Sequence, residues 1–169
     1  MDHLLPDLSA YTYDAFLFDM DGTIPNPIAA AERIWGAWAR KFGLNPGVFL
    51  PTIHGRKASE TISALRLPDI DPEVEAAAVT QAEIEEVEGI VPITGASQFL
   101  GSLPSHRWAV VTSAPSALAK RRIEAAGLPH PSITVTSEDV KRGKPAPDCF
   151  ILAAERLSVD PARAQAASR

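Results

Sequence analysis

Two hydrophobic rhythms alternate along the chain. Ala15-Phe16-Leu17-Phe18 is an unbroken apolar run entering Asp19-Met20-Asp21-Gly22-Thr23, which predicts a buried strand followed by a turn. From Ile28 the period lengthens. Ile28, Ala31, Ile34, Trp35, Trp38, Ala39 and Phe42 recur at helical spacing, and Gly43 stops them. Helical spacing resumes over Ala58–Leu65, is punctuated by Pro68–Pro72, and continues through Glu73–Glu88. Pro92 and Gly95 break the chain before a short helix near Ala96–Leu103. Trp108-Ala109-Val110-Val111 is a second buried strand, closing at Thr112-Ser113. Pro115 opens a helix to Ala126 that stops at Gly127 and carries Lys120, Arg121 and Arg122 on an exposed face. Ile133-Thr134-Val135 reads as a third strand, and a polar loop, Ser137–Lys144, leads into a helix over Pro147–Leu157. Residues 1–12 read as a short lead-in.

Strands alternating with helices after residue 90 predict an α/β fold with a parallel sheet. The helical block between the first two strands reads as an insertion set over the carboxyl edge of that sheet. A length of 169 residues suits one domain with a small insert. The net charge of −5 argues against a nucleic-acid partner, whose phosphate backbone calls for clustered Lys and Arg. It leaves open a small phosphorylated substrate, for which one or two placed cations suffice. Cys149 is the single cysteine, so neither an intrachain disulfide nor a cysteine zinc cage can form, and beside Phe150 it reads as a small hydrophobe. No run of about 18 apolar residues exists to span a membrane, and MDHLLPDLSAY lacks a basic leader. The expectation is a soluble protein of a reducing compartment, the cytoplasm.

The chemistry gathers at the strand ends. Asp19 and Asp21 are two apart at the mouth of the first strand, a spacing that puts both carboxylates on one face with Met20 turned away. Ligands bind at the carboxyl edge of open parallel sheets. Thr112 and Ser113 after the second strand, and Lys144 in the loop after the third, fall on that same edge. Together these supply a carboxylate nucleophile, an acid/base partner, a hydroxyl with free amides, and a cation. Phosphoryl transfer from a monoester needs that set. Singly, the Asp pair could be a turn or helix cap, Ser113 an N-cap before Pro115, and Lys144 a surface lysine. Their joint order and spacing favour the chemical reading.

Four segments carry a resemblance: FLFDMDGT (16–23), HGRKASETI (54–62), RWAVVTSAP (107–115) and TSEDVKRGKPAPDCF (136–150). In this order they resemble the haloacid dehalogenase superfamily, in its branch of sugar- and polyol-phosphate phosphatases. The resemblance implies a Rossmann-like core, from residues 13–24 and 91–169, with an inserted helical cap over 25–90. It implies a Mg²⁺ cofactor held by the Asp19 carboxylate and the Asp21 backbone carbonyl, and a small-molecule phosphate ester as substrate. Asp19 would form an aspartyl phosphate, and Asp21 would protonate the leaving alcohol and then activate water. Thr112 and Ser113 would bind the phosphoryl group, and Lys144 would neutralise charge. His54 and Arg56 fall where the branch closes over its substrate, although Arg56 reads equally as a solvated arginine.

The chain departs from the family after Pro161. The family has a fourth motif there, an acidic pair following a strand, in a phrase like FEDAPAG. Here Ala-Arg-Ala-Gln-Ala-Ala-Ser-Arg follows, with no acid beyond Asp160 and no strand pattern. The expectation is a sheet incomplete at its C-terminal side, with Ala15–Phe18 left as an apolar edge open to self-association. The alternative function is therefore a truncated, catalytically impaired fragment, and a phosphomutase or dehalogenase of the same superfamily is a weaker third reading. Two further departures are Ile24-Pro25-Asn26-Pro27, whose prolines stiffen the entry to the cap, and Ala114 where the branch often has Gly. Trp35 and Trp38 read as core, Glu83–Glu88 as a solvated acidic face, and the histidines (His3, His54, His106, His130) show no zinc-site pairing.

Overall fold

Strand β1 (Ala15–Asp19) is the axis of the molecule in the computed structural model, which describes residues 12–168. All of the lead-in read over residues 1–12 except Thr12 lies outside the described residues. The apolar residues of β1 divide by parity. Phe16 and Phe18 pack on one side of the sheet, and Leu17 packs on the other. Strand β4 (Trp108–Val111) repeats the pattern, with Trp108 and Val110 on the first side and Ala109 and Val111 on the second. Burial on both faces explains why these strands read as continuous apolar runs. The sheet runs β5–β4–β1–β6, where β5 is Thr134–Val135 and β6 is Ala164–Ala167, and every pairing is parallel. Helices α5 (Ala96–Ser102) and α6 (Ser116–Ala125) cover the Phe18 side, and α7 (Asp148–Arg156) covers the Leu17 side. This is the expected α/β, Rossmann-like architecture.

Strand β6 corrects the expectation that no strand follows Pro161. Ala15, Phe16, Leu17 and Phe18 stand opposite Ala164, Gln165, Ala166 and Ala167, so β1 is interior and offers no open apolar edge for self-association. The strand escapes local reading because four small or polar residues carry no β-branched signal; its conformation comes from pairing with β1. A carboxylate pins its start, since Asp14 accepts hydrogen bonds from Arg163 at 2.6 and 3.0 Å. The Arg163 hydrogen bond holds Asp14 below the ordinary carboxylate range. For a carboxylate so depressed, the stabilisation is present above its unfolded-state pKa and disappears as pH falls through the lowered folded value. Amide protection within 164–167, corrected for intrinsic exchange, should therefore fall on acidification below the usual carboxylate range, and Arg163→Met should lower it at neutral pH. Unchanged exchange in Arg163→Met would contradict this clamp.

A helical segment interrupts the core between β1 and α5. It holds α1 (Ile28–Lys41), α2 (Pro46–Phe49), α3 (Ala58–Ala64) and α4 (Pro72–Glu85). Gly43, at φ +70°, closes α1 in the left-handed region. Asp71 opens α4 by accepting from the Glu73 amide at 2.9 Å, with Pro72 in the first turn, so the helix starts just ahead of Glu73 and ends three residues before Glu88. Ala31, Trp35, Trp38, Ala39, Phe49, Ile53, Ile62, Ala76 and Val79 give this segment its own apolar cluster, as the Trp pair suggested. Where the chain leaves and re-enters the core, β2 (Pro25–Asn26) and β3 (Val91–Pro92) pair antiparallel, so both crossings are tied together.

Candidate active site

The first motif bends sharply at the end of β1. The strand stops at Asp19, and the Met20 carbonyl accepts from the amides of Thr23 (3.1 Å) and Ile24 (3.0 Å). Gly22 sits at φ +79°, which an L side chain rarely adopts, and its amide donates to the Pro25 carbonyl at 2.9 Å. Met20 is fully buried in the core, and the two aspartates flanking it turn toward a single cavity. That cavity, about 280 Å³, lies between the sheet edge and the helical segment. Asp19, Asp21, Thr112 and Ser113 line it from the core, and His54, Arg56 and Glu83 line it from the helical segment.

Lys144 comes to Asp19 across 125 positions of sequence and donates to its Oδ1 and, at 3.1 Å, to the Val111 carbonyl. It is thus no plain surface lysine. Ser113 donates from its hydroxyl to the Gly55 carbonyl at 3.2 Å, and Lys57 donates to the Ser137 carbonyl at 3.2 Å, so the helical segment is seated on the core. The amides near Thr112 are less free than expected. Thr112 donates its N–H to the Val135 carbonyl at 2.9 Å, and its hydroxyl oxygen accepts from the Ala114 amide at 3.1 Å. Thr112 therefore shapes the turn at the end of β4. His54 and Arg56 are exposed at the cavity mouth, where Arg56, Lys141, Arg142 and Lys144 line an adjoining open groove.

Two expectations about charge are corrected. Arg122, expected on an exposed helix face, and Glu83, expected in a solvated acidic cluster, are only 6% and 8% exposed. Arg122 donates to Asp21 Oδ2 at 2.5 Å and to Glu83 Oε1 at 2.7 Å, joining the first motif to α4 through one guanidinium. Burial pushes both carboxylates above their ordinary range, with Arg122 opposing the shift in each. Asp21 keeps 35% of its side chain exposed, yet its Oδ1 is sealed and without a hydrogen-bond partner. The sequence held a signal for both residues. Arg122 falls four after Leu118 and beside Ile123, and Glu83 falls four after Val79, each on its helix's buried stripe.

The donor atoms around this turn are oxygens: the Asp19 carboxylate, the Asp21 carbonyl, and the buried, unpartnered Asp21 Oδ1 and Thr23 Oγ1. A hard cation such as Mg²⁺ takes that chemistry and commonly keeps several waters. Among the described residues, no group of three or more His, Cys, Asp or Glu converges to cage a metal.

The parallel α/β sheet thus carries a doubly acidic turn at the end of an interior strand, with a lysine bound to the first acid. Residues 13–166 match the haloacid dehalogenase-like hydrolase family, and the chain belongs to it. It is similar to hexitol phosphatase A of Escherichia coli (strain K12), with 41% identity over 86% of this chain and 69% of that protein. It is also similar to 2-deoxyglucose-6-phosphate phosphatase 1 of Saccharomyces cerevisiae, with 29% identity over 90% of this chain and 68% of that protein. A crystal structure of a hydrolase from Pseudomonas syringae superposes with a TM-score of 0.78 at 23% identity, covering 91% of this chain and 74% of that one. Among the described residues no helix is long and apolar enough to cross a membrane.

Proposed function

We propose that the chain hydrolyses small sugar or polyol phosphates through an aspartyl-phosphate intermediate on Asp19. The observation that carries this reading is the Asp19–Lys144 contact at the floor of a cavity shared with Asp21. The similarity to phosphatases of hexitol and deoxysugar phosphates supports the substrate class, and a volume of about 280 Å³ suits a small polyol ester. The helical segment over 25–90 acts as a cap on the core assigned to 13–24 and 91–169, closing the site from water.

Asp19 attacks phosphorus through a carboxylate oxygen, while Lys144 holds that carboxylate in place and offsets its charge. As the ester P–O bond breaks, Asp21 gives its proton to the departing alkoxide. Burial shifts its pKa upward, the direction that favours the protonated form this step needs. Asp21 then takes a proton from water, which attacks the phosphorus of the acyl phosphate and regenerates the Asp19 carboxylate. Ser113 donates its hydroxyl to a phosphoryl oxygen once substrate displaces the Gly55 carbonyl, and the cations of the adjoining groove draw an anionic ester to the mouth. The Asp19 carboxylate and the Asp21 backbone carbonyl would hold Mg²⁺, which would supply positive charge near the phosphoryl group.

The alternative of an impaired fragment is not favoured, since both carboxylates, Lys144 and the cavity are assembled in this chain. The test is phosphate release from hexitol, 2-deoxyglucose and glycerol phosphates with Mg²⁺ and with chelator. Mg²⁺-dependent release from at least one ester is expected, and release from none would overturn the proposal.

A further inference from the structure

We propose that Arg122 is a positioning residue for Asp21, itself held in place by Glu83 from α4; this rests on the phosphatase reading above. Three observations carry it. Arg122 uses separate guanidinium nitrogens for its two partners, Nη1 on Asp21 Oδ2 and Nη2 on Glu83 Oε1, so the planar group is fixed at both ends. Asp21 Oδ1 is sealed, so Arg122 grips the side chain by Oδ2, the carboxylate oxygen left to face the cavity. Finally, all three residues line the cavity that holds Asp19.

A buried ionic triad is a poor source of stability, because apolar side chains of similar volume fill such a space at least as favourably. Its use here is orientation. An aspartate two residues beyond the nucleophile, in a turn rather than a strand, needs an external hold on its rotamer, and Arg122 supplies one. The hold is also conditional. Glu83 belongs to the helical segment, and the neighbouring Arg121 donates from Nε to the Ile84 carbonyl of the same helix at 3.3 Å. If the segment lifts from the core, Arg122 loses one of its two anchors, so Asp21 is set for proton transfer when the segment is seated.

Proton donation matters for a poor leaving group and little for a good one. An alkoxide needs a proton as it departs, whereas p-nitrophenolate leaves without one. The step ending in alcohol release is read by kcat/KM, so the comparison is kcat/KM on a hexitol phosphate against p-nitrophenyl phosphate. Arg122→Met should lower the first by about 100-fold and the second by less than about fivefold. Arg122→Lys should recover about tenfold on the alkyl ester by restoring one cationic donor, and Glu83→Gln should give a loss of about tenfold, again confined to it. Arg122→Lys and Glu83→Gln change little volume and carry the test if Arg122→Met does not fold. Equal losses on both esters, or no loss in any variant, would overturn the positioning role while leaving the phosphatase reading standing. Failure of the parent chain to release phosphate from either ester, judged against Asp19→Asn, would overturn that reading and this proposal with it.

Discussion

Replacing Asp19 with Asn is expected to lower phosphate release by at least about 10³-fold, because the amide cannot form the covalent intermediate. The substitution is nearly isosteric and leaves an oxygen that can still accept from Lys144. The thermal transition should therefore remain cooperative, which separates lost chemistry from lost fold. Lys144 contacts the Asp19 carboxylate and the Val111 carbonyl together, so it holds that carboxylate against the end of β4. Turnover of Asp19→Asn within tenfold of the parent would assign the nucleophile to another group.

The second large effect concerns stability. Trp35 is 4% exposed and meets Trp38 and Phe49 at ring-centroid distances of 5.8 and 5.7 Å. Trp35→Ala removes the middle of the apolar cluster formed by α1–α4, and that cluster has no share in the packing around β1. Truncating a buried tryptophan costs about 3–5 kcal/mol through lost burial and the cavity left behind. In a chain of this length each kcal/mol lowers the melting midpoint by roughly 2–4 °C, so the expected fall is about 10 °C. Val74, 63% exposed on α4, serves as the contrast, and Val74→Ala should fall within about 0.5 kcal/mol of the parent. Scanning calorimetry reads both. A fall below about 1 kcal/mol in Trp35→Ala would contradict the buried role given to this side chain.

The features legible in the sequence are those whose signals are local. Strands β1 and β4 announce themselves because burial on both faces leaves no polar residue within 15–18 or 108–111. Asp19, Asp21, Thr112 and Ser113 were legible because each sits at or just beyond the end of a strand, and Lys144 because it lies in the loop that follows another, on the edge where a parallel sheet gathers its loops. The features that were not legible depend on distant partners. Strand β6 is a strand through its pairing with β1, and β2 and β3 are two residues each with a proline in both. Arg122 and Asp21 are 101 positions apart, so nothing near Arg122 tells of the carboxylate it meets. Its position on the Leu118 stripe could have told that it points inward, but a run of three cations suggests a solvated face more strongly. Glu83 was hidden in the same way by the acidic residues that follow it.

The assembled site gives each of these residues a part in one reaction. In the proposed reaction Asp19 is the nucleophile, Lys144 its cation and Asp21 the acid, with Arg122 and Glu83 as the clamp that holds the acid in place. The most direct test is to quench turnover of a hexitol phosphate, reduce the protein with borohydride, and map the modified peptide by mass spectrometry. An acyl phosphate is reduced where a free carboxylate is not, so the account predicts reduction of residue 19 to homoserine, dependent on substrate. Phosphate release with Asp19 unmodified throughout, or reduction at a different carboxylate, would contradict it.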